Sequence, residues 1–311
     1  MDARILPQTA TLLVLLLLTT GANYETANFV VDAPTAECAR QVAETAEQCR
    51  HDLAILWLGN LLPDWQEKCP VKVLVGNTLG AGGKTSFIFE NGNVFDWDME
   101  IQGPYDKIID SVLPHEITHM ILASHFRKPI PRWLDEGLAT SVEDKSEKEN
   151  YRRMLRHFLQ SDVQRCFPFN EMVAMKEYPS DAMPFYAQGF STVEYLLEYG
   201  RQFDTNEHRR LVQFTQSAMH SGDWKSALQE HYDIQSLGDL QTSWIQWVGT
   251  DGRSLRTIAE VSVIAPPDLQ TAEAEIPMGV TSAKLPPPIG KSVYEMEAIQ
   301  PASFGRDVIL R

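Results

Sequence analysis

His115 and His119 are the two residues that most constrain how this chain can fold. Side chains four positions apart lie on one face of an α-helix, so both imidazoles reach one metal ion only if this segment is helical. Glu116 follows the first histidine and can then act as a general base toward a water on that metal. Because a catalytic zinc site takes three protein ligands and leaves its fourth position to water, the fold must supply one more ligand.

Two residues are candidates for that third ligand. His125 has the spacing of the pattern HExxHxxGxxH, in which a glycine breaks the helix and turns the last histidine back to the metal. Leu122 stands in place of that glycine, and in a continuous helix His125 would lie about 240° round the axis from His119. Glu136 needs no such break, because the preceding loop contains two prolines and can return the next helix antiparallel. We therefore favour Glu136 and predict a Zn²⁺ site, with His125 as the alternative.

The segments His115–His119 and Trp133–Ala139 together resemble the gluzincins, specifically the bacterial peptidase MA-like proteins. The resemblance implies that the two motif histidines and Glu136 bind Zn²⁺, and that Glu116 is the general base. It also implies a zincin-like fold and the hydrolysis of peptide bonds in a peptide or protein substrate.

Further site residues enter through this resemblance. Aminopeptidase-type gluzincins extend the second motif as Glu-Gly-x-Ala-x-x-x-Glu, which assigns Glu143 to orienting a ligand histidine. Tyr186 resembles the tyrosine of a Tyr-x-x-Gly helix start, which implies a hydrogen bond to the oxyanion formed during hydrolysis; Tyr178 and His231 are the alternatives. The aminopeptidase signature GxMEN is missing, so recognition of a free peptide N-terminus is not implied.

Hydrophobic periodicity predicts mainly strands before the histidine helix and a mainly helical C-terminal half. With the resemblance to zincins, this implies an α+β fold in which a small mixed β-sheet packs on the helix that carries the histidines. Strands are predicted over 28–31, 71–75, 87–90 and 94–101, and helices over 35–58, 132–143, 145–159, 183–199, 206–220, 224–231 and 237–248. The pair Asn91-Gly92 predicts a tight hairpin turn between the last two strands.

The N-terminus has the composition of an export signal. An apolar run over 12–18 follows Arg4 and precedes the small residues Thr20-Gly21-Ala22, which predicts a signal peptide over 1–22. An uncleaved anchor is the alternative. We therefore expect an exported protein of the periplasm, cell envelope or extracellular space, with no membrane span in the mature chain.

The remainder of the chain divides into a domain and a tail. Residues 23–250 are predicted to form one zincin-like peptidase domain, with a sheet part over about 23–125 and a helical part over about 126–250. Residues 251–311 are rich in proline, alanine, glutamate and threonine, and are predicted to be a mostly disordered tail.

Charge and cysteine content add three expectations. The formal net charge of −15, without a basic stripe, argues against a nucleic-acid partner. Cys38 and Cys49 are predicted to share one helix about 16 Å apart, too far for a disulfide. Each would pair with Cys69 or Cys166, or remain a free thiol.

The glycine-rich segment Gly80–Thr85 lacks the glycine that a phosphate-binding Walker pattern requires at position 78. We predict a surface loop there, or else the rim of a peptide groove.

The chain as a whole is predicted to be a zinc peptidase. A catalytically inactive zincin-fold binding or scaffold protein of the cell envelope is the main alternative, and the intact Glu116 argues against it. The oligomeric state is not defined by these patterns.

Overall fold

The computed structural model describes residues 21–160, 165–203 and 206–250, together with the backbone of 307–309. The predicted signal peptide therefore lies almost entirely outside the described residues. The predicted tail also lies outside them, apart from the backbone of 307–309. Within the described part of the chain, no helix is long and apolar enough to cross a membrane.

The predicted α+β class is confirmed, with a mixed sheet in the N-terminal half and a mainly helical C-terminal half. The strands are β1 (Ala22–Glu25), β2 (Phe29–Ala33), β3 (Cys69–Val75), β4 (Gly82–Glu90), β5 (Asn93–Gly103) and β6 (Asp307–Ile309). The five strands of the N-terminal half are ordered β1-β2-β3-β5-β4, and β6 adds to the outer edge of β4. The pairs β2–β3 and β3–β5 are parallel, and the other three pairs are antiparallel.

The hairpin between β4 and β5 forms at the predicted turn. Asn91 and Gly92 have φ values of 52° and 74°, the left-handed conformation that a two-residue hairpin turn requires. However, β4 begins at Gly82 rather than near Phe87. Glycine has little strand propensity, so the sequence pattern detects only the apolar end of β4, while pairing with β5 extends the strand to its glycine-rich end.

The helices are α1 (Ala36–Leu58), α2 (Tyr105–Lys107), α3 (Leu113–Phe126), α4 (Arg132–Ser141), α5 (Lys145–Gln160), α6 (Phe169–Met172), α7 (Ala182–Gly200), α8 (Glu207–Ser221), α9 (Trp224–Tyr232) and α10 (Leu237–Gly249). A π-helical turn over Ile108–Val112 joins α2 to α3. Helices α1 and α3 cover one face of the sheet, while α4 and α5 pack on α7 in the helical half. The histidine helix α3 thus lies where the two halves meet.

Cys38, Cys49 and Cys69 are free thiols. Cys38 and Cys49 both lie on α1, as predicted, and neither is bonded to Cys69 or Cys166. Burial and the nearby Asp52 carboxylate raise the pKa of the Cys49 thiol to about 11, so this thiol is protonated at neutral pH and is a poor nucleophile.

Candidate metal centre

Helix α3 presents the two histidines as their spacing predicts. Pro114 lies in its first turn, directly after the π-helical turn over Ile108–Val112. The helix continues unbroken past Leu122. The rings of His115 and His119 therefore share one face, with their centroids 4.9 Å apart. His119 is fully buried, and His115 keeps 13% of its side chain exposed.

Helix α4 brings Glu136 to the same place. Its Oε2 lies 3.6 Å from Nε2 of His115 and 4.0 Å from Nε2 of His119, and one ligand atom from each of the three residues lies within 4.8 Å of the others. The Glu136 Oε2 atom is buried and has no hydrogen-bond partner among the described residues. Two imidazole nitrogens and one carboxylate oxygen around one point are a donor set used by catalytic zinc, so the residues present fit such an ion.

His125, the alternative ligand, is not a member of this group. Because α3 does not break at Leu122, His125 stays on the helix and its ring packs edge-on against Phe126, at a centroid distance of 4.9 Å. The helix ends at Phe126, and the next residue, Arg127, caps it with a left-handed φ of 54°. The geometry therefore favours Glu136 over His125.

Each histidine of the group is held by a second carboxylate. Glu143 Oε1 lies 2.7 Å from Nδ1 of His115, and Asp135 Oδ1 lies 2.8 Å from Nδ1 of His119. A hydrogen bond at Nδ1 leaves the Nε2 lone pair for a metal and fixes the orientation of the ring. Glu143 does this from the turn that follows α4, since the helix ends at Ser141 rather than at Glu143 as predicted.

Asp135 is the residue of this arrangement that sequence patterns did not reveal. It lies within the Trp133–Ala139 motif, and its position next to Glu136 is the signal that could have identified it. Neighbouring helical residues point about 100° apart, so one turn of α4 directs Glu136 toward both Nε2 atoms and Asp135 toward Nδ1 of the deeper histidine.

Replacing Asp135 by asparagine or Glu143 by glutamine is expected to lower zinc affinity by about tenfold to a hundredfold, because each amide is a weaker acceptor for the Nδ1–H and leaves the imidazole less basic. Competition against a chromophoric chelator measures the change. Glu149→Gln, at an exposed glutamate of α5, is the matched control and should bind zinc as the wild type does. Unchanged affinity in both site variants would contradict this role.

The site concentrates buried negative charge. Glu116, Asp135, Glu136 and Glu143 are each at most 3% exposed. Burial of His115 disfavours its charged form, but the neighbouring carboxylates of Glu136 and Glu143 outweigh this and hold its pKa well above the ordinary value. Four buried carboxylates around two imidazoles form a site whose negative charge a divalent cation would partly offset.

Strand β4 positions Glu116. The Thr85 hydroxyl donates a hydrogen bond of 2.7 Å to its Oε2, and the carboxylate packs over Gly83, where an added Cβ would lie 2.5 Å from Oε1. The prediction of a surface loop over Gly80–Thr85 is therefore wrong for Gly82 onward, which is strand. The absence of a side chain at Gly83 makes room for Glu116, and no local sequence pattern indicated this contact.

Gly83→Ala is expected to reduce peptide hydrolysis by about a hundredfold, because the new methyl group must displace the Glu116 carboxylate, and misplacement by about 1 Å costs that much. Thr85→Val, which removes the hydrogen bond at nearly constant volume, should have a smaller effect in the same direction. Steady-state kinetics measure both, and Gly249→Ala, where a Cβ would meet open space, is the control. Full activity of Gly83→Ala would show that β4 does not set the position of Glu116.

Two tyrosines lie next to Glu136 of the His–His–Glu group. Tyr178, an alternative to Tyr186 on sequence grounds, donates a hydrogen bond of 2.6 Å to Oε1 of Glu136. Tyr186, the favoured residue, stacks on the Tyr178 ring at 5.5 Å; burial and the nearby Glu136 carboxylate raise its pKa, so its hydroxyl remains a proton donor at neutral pH. His231 packs against α8 instead, with Nε2 at 2.8 Å from the Ser217 hydroxyl.

Two glycines allow helix α7, with its tyrosine, to approach helix α4. A Cβ at Gly137 would lie 2.6 Å from the Gly189 carbonyl oxygen, and a Cβ at Gly189 would lie 2.5 Å from the Trp133 carbonyl oxygen. Side chains of any size would separate the helices. The glycine of the Glu-Gly pair is therefore required by packing, next to the glutamate that faces the histidines.

The chain matches no model of a known protein family, and no curated protein is significantly similar to it. The α+β fold, with a His–His–Glu group between its two halves, therefore has a candidate metal-binding site. Membership of the gluzincins remains a prediction from the two motifs.

Proposed function

We propose that this protein is an exported, zinc-dependent peptidase of the gluzincin type, related to the peptidase MA-like proteins. One observation carries the proposal: two imidazole nitrogens converge on one point with a buried carboxylate oxygen that accepts no hydrogen bond from the described residues. A second buried carboxylate, Glu116, lies on the same helix as the histidines. The two motifs and the predicted signal peptide over 1–22 support it.

Zinc is the metal that this donor set fits best, and His115, His119 and Glu136 would hold it. Bound there, Zn²⁺ would act as a Lewis acid that polarises the scissile carbonyl and makes a water more acidic.

Glu116 would accept the proton of the attacking water and deliver it to the leaving amine. The Thr85 hydroxyl holds one carboxylate oxygen of Glu116, which leaves the other for the proton. Tyr186 would donate a hydrogen bond from its hydroxyl to the oxyanion of the tetrahedral intermediate. Tyr178 serves a different purpose, since its hydroxyl is already directed to Glu136.

A peptide substrate would lie along the edge of β4 that is nearest to Glu116. Strand β6 pairs only with Phe87–Phe89, so Gly82–Ser86 has no strand partner opposite β5 within the described residues. An extended peptide can add to such an edge through main-chain hydrogen bonds. This arrangement would bring its carbonyl groups past Gly83 and Thr85 toward the general base.

A zincin-fold binding or scaffold protein of the cell envelope is the second candidate. The positioning of Glu116 by both Thr85 and Gly83 argues against it, because a protein without turnover has no need to hold a general base in place.

Metal removal tests the proposal. We expect one zinc per chain by plasma mass spectrometry, loss of peptide hydrolysis on chelation, and recovery on adding Zn²⁺. Chelation should also lower the melting temperature by roughly 10 °C, because a ligand present at about a thousandfold its Kd stabilises the fold by about 4 kcal/mol. Mg²⁺ added to the chelated protein is the control and should restore neither property. A protein that carries no zinc would refute the assignment.

A further inference from the structure

A cavity of about 350 Å³ opens on the outer face of the sheet, beside the end of β4 that supports Glu116. Its lining includes Gly83, whose inner side contacts the Glu116 carboxylate. The same lining includes Lys72 of β3 and Lys84 of β4. The cavity and the candidate metal centre therefore lie on opposite sides of one short stretch of β4.

The charges in this cavity are unusual for so acidic a chain. Lys72 and Lys84 lie on either side of Glu100, each paired with it in register. Neither lysine forms a salt bridge with a carboxylate of the described residues. Within the lining, two ammonium groups face one carboxylate, although the chain as a whole carries a formal net charge of −15. The Asp98 carboxylate also interacts electrostatically with both lysines. Asp98 continues this face of β5 but is not part of the lining.

The cavity lies where it could receive a side chain of a peptide bound along β4. In an extended chain, successive side chains point to opposite faces of the sheet. If a peptide adds to the free edge at Gly82–Ser86, one side chain faces Glu116 and its neighbour faces the cavity. Leu74 and Ala81 give the cavity an apolar wall beside the two lysines, which suits a methylene stem ending in an anionic group.

We propose that this cavity is a specificity site that binds a carboxylate of the peptide substrate through Lys72 and Lys84. The inference rests on the proposed peptidase function and narrows its substrate class. The carboxylate belongs either to a glutamate or aspartate side chain next to the scissile bond, or to the free C-terminus of a short peptide.

Binding to the Glu116→Gln protein loaded with zinc tests the site without turnover. The probes are fluorescein-labelled, C-terminally amidated alanine peptides with a single glutamate at each position in turn, matched with glutamine peptides, and one unamidated peptide without glutamate. Fluorescence anisotropy should give about fivefold tighter binding for one glutamate position or for the free C-terminus, the size expected of two partly exposed charge pairs. The preferred probe identifies the source of the carboxylate.

Lys72→Ala and Lys84→Ala together should abolish this preference, and Lys84→Glu should reverse it in favour of a lysine peptide. Lys68→Ala, at a surface lysine that pairs with Glu25, should leave it unchanged. Equal affinity for all probes in the parent protein, or a preference that survives the double substitution, would overturn the proposal.

The two proposals fail separately. If the wild-type protein hydrolyses peptides without any preference for a carboxylate, the specificity site is refuted and the proposed peptidase function stands. A lysine-dependent preference in binding without hydrolysis would support the cavity and refute the peptidase.

Discussion

Glu116→Gln is expected to abolish peptide hydrolysis while leaving the zinc content of the protein unchanged. The amide has the size of the carboxylate, and its oxygen can still accept the hydrogen bond from Thr85, but it cannot take a proton from water. Loss of a general base typically costs about 10²- to 10⁴-fold in rate. Digestion of a broad peptide library, followed by mass spectrometry, measures activity toward many sequences at once.

Two comparisons make this result interpretable. Glu37→Gln, at an exposed glutamate of α1, should be as active as the wild type. His119→Ala should lose both zinc and activity, because it removes one of the three proposed zinc ligands. Activity retained by Glu116→Gln would exclude Glu116 as the base. If wild type and variant both bind zinc and neither cleaves any peptide, the binding or scaffold protein becomes the better interpretation.

Gly189→Ala is expected to destabilise the protein by about 3 kcal/mol or more, the upper end of the cost of overpacking a core. The added Cβ would lie 2.5 Å from the Trp133 carbonyl oxygen, a backbone atom that cannot turn aside. Helices α4 and α7 must then separate. For a domain of this size the melting temperature should fall by roughly 10 °C, as measured by circular dichroism or calorimetry.

The same substitution should also weaken zinc binding, because α4 carries Glu136 and Asp135. Gly238→Ala, in helix α10, is the control: its Cβ would approach no atom closer than 3.6 Å, and alanine has the higher helix propensity, so its stability should be equal or slightly greater. If Gly189→Ala melted with the control, the close approach of α4 and α7 would not be a constraint on the fold.

The regular elements were predictable because their patterns are local. The alternation in β3 and the helical spacing in α1 each place apolar residues on one face, and the Asn91-Gly92 turn determines its own hairpin. The glycine-rich end of β4 was not predictable. It is a strand only because β5 pairs with it, and such pairing is a tertiary contact.

Within the candidate site, the grouping of His115, His119 and Glu136 was foreseen, and the carboxylate behind His119 was not. The first follows from helical spacing and from Leu122, which keeps α3 continuous. Asp135 reaches Nδ1 of His119 only because α4 packs on α3 at a particular rotation about its axis, and no local pattern specifies that rotation. The contact of Tyr178 has the same origin, since its hydroxyl reaches Glu136 Oε1 only in the folded chain.

The sequence by itself determined that two histidines and a glutamate share one helix, and that a Glu-Gly helix follows within reach. These are properties of spacing along the chain. Only the tertiary structure decided that Thr85 and Gly83 of a distant strand hold Glu116, that Gly137 and Gly189 set the distance between α4 and α7, and that Lys72 and Lys84 meet at one cavity. The physical reason is that each of these contacts joins residues far apart in sequence, and their distances are fixed by the packing of the whole core.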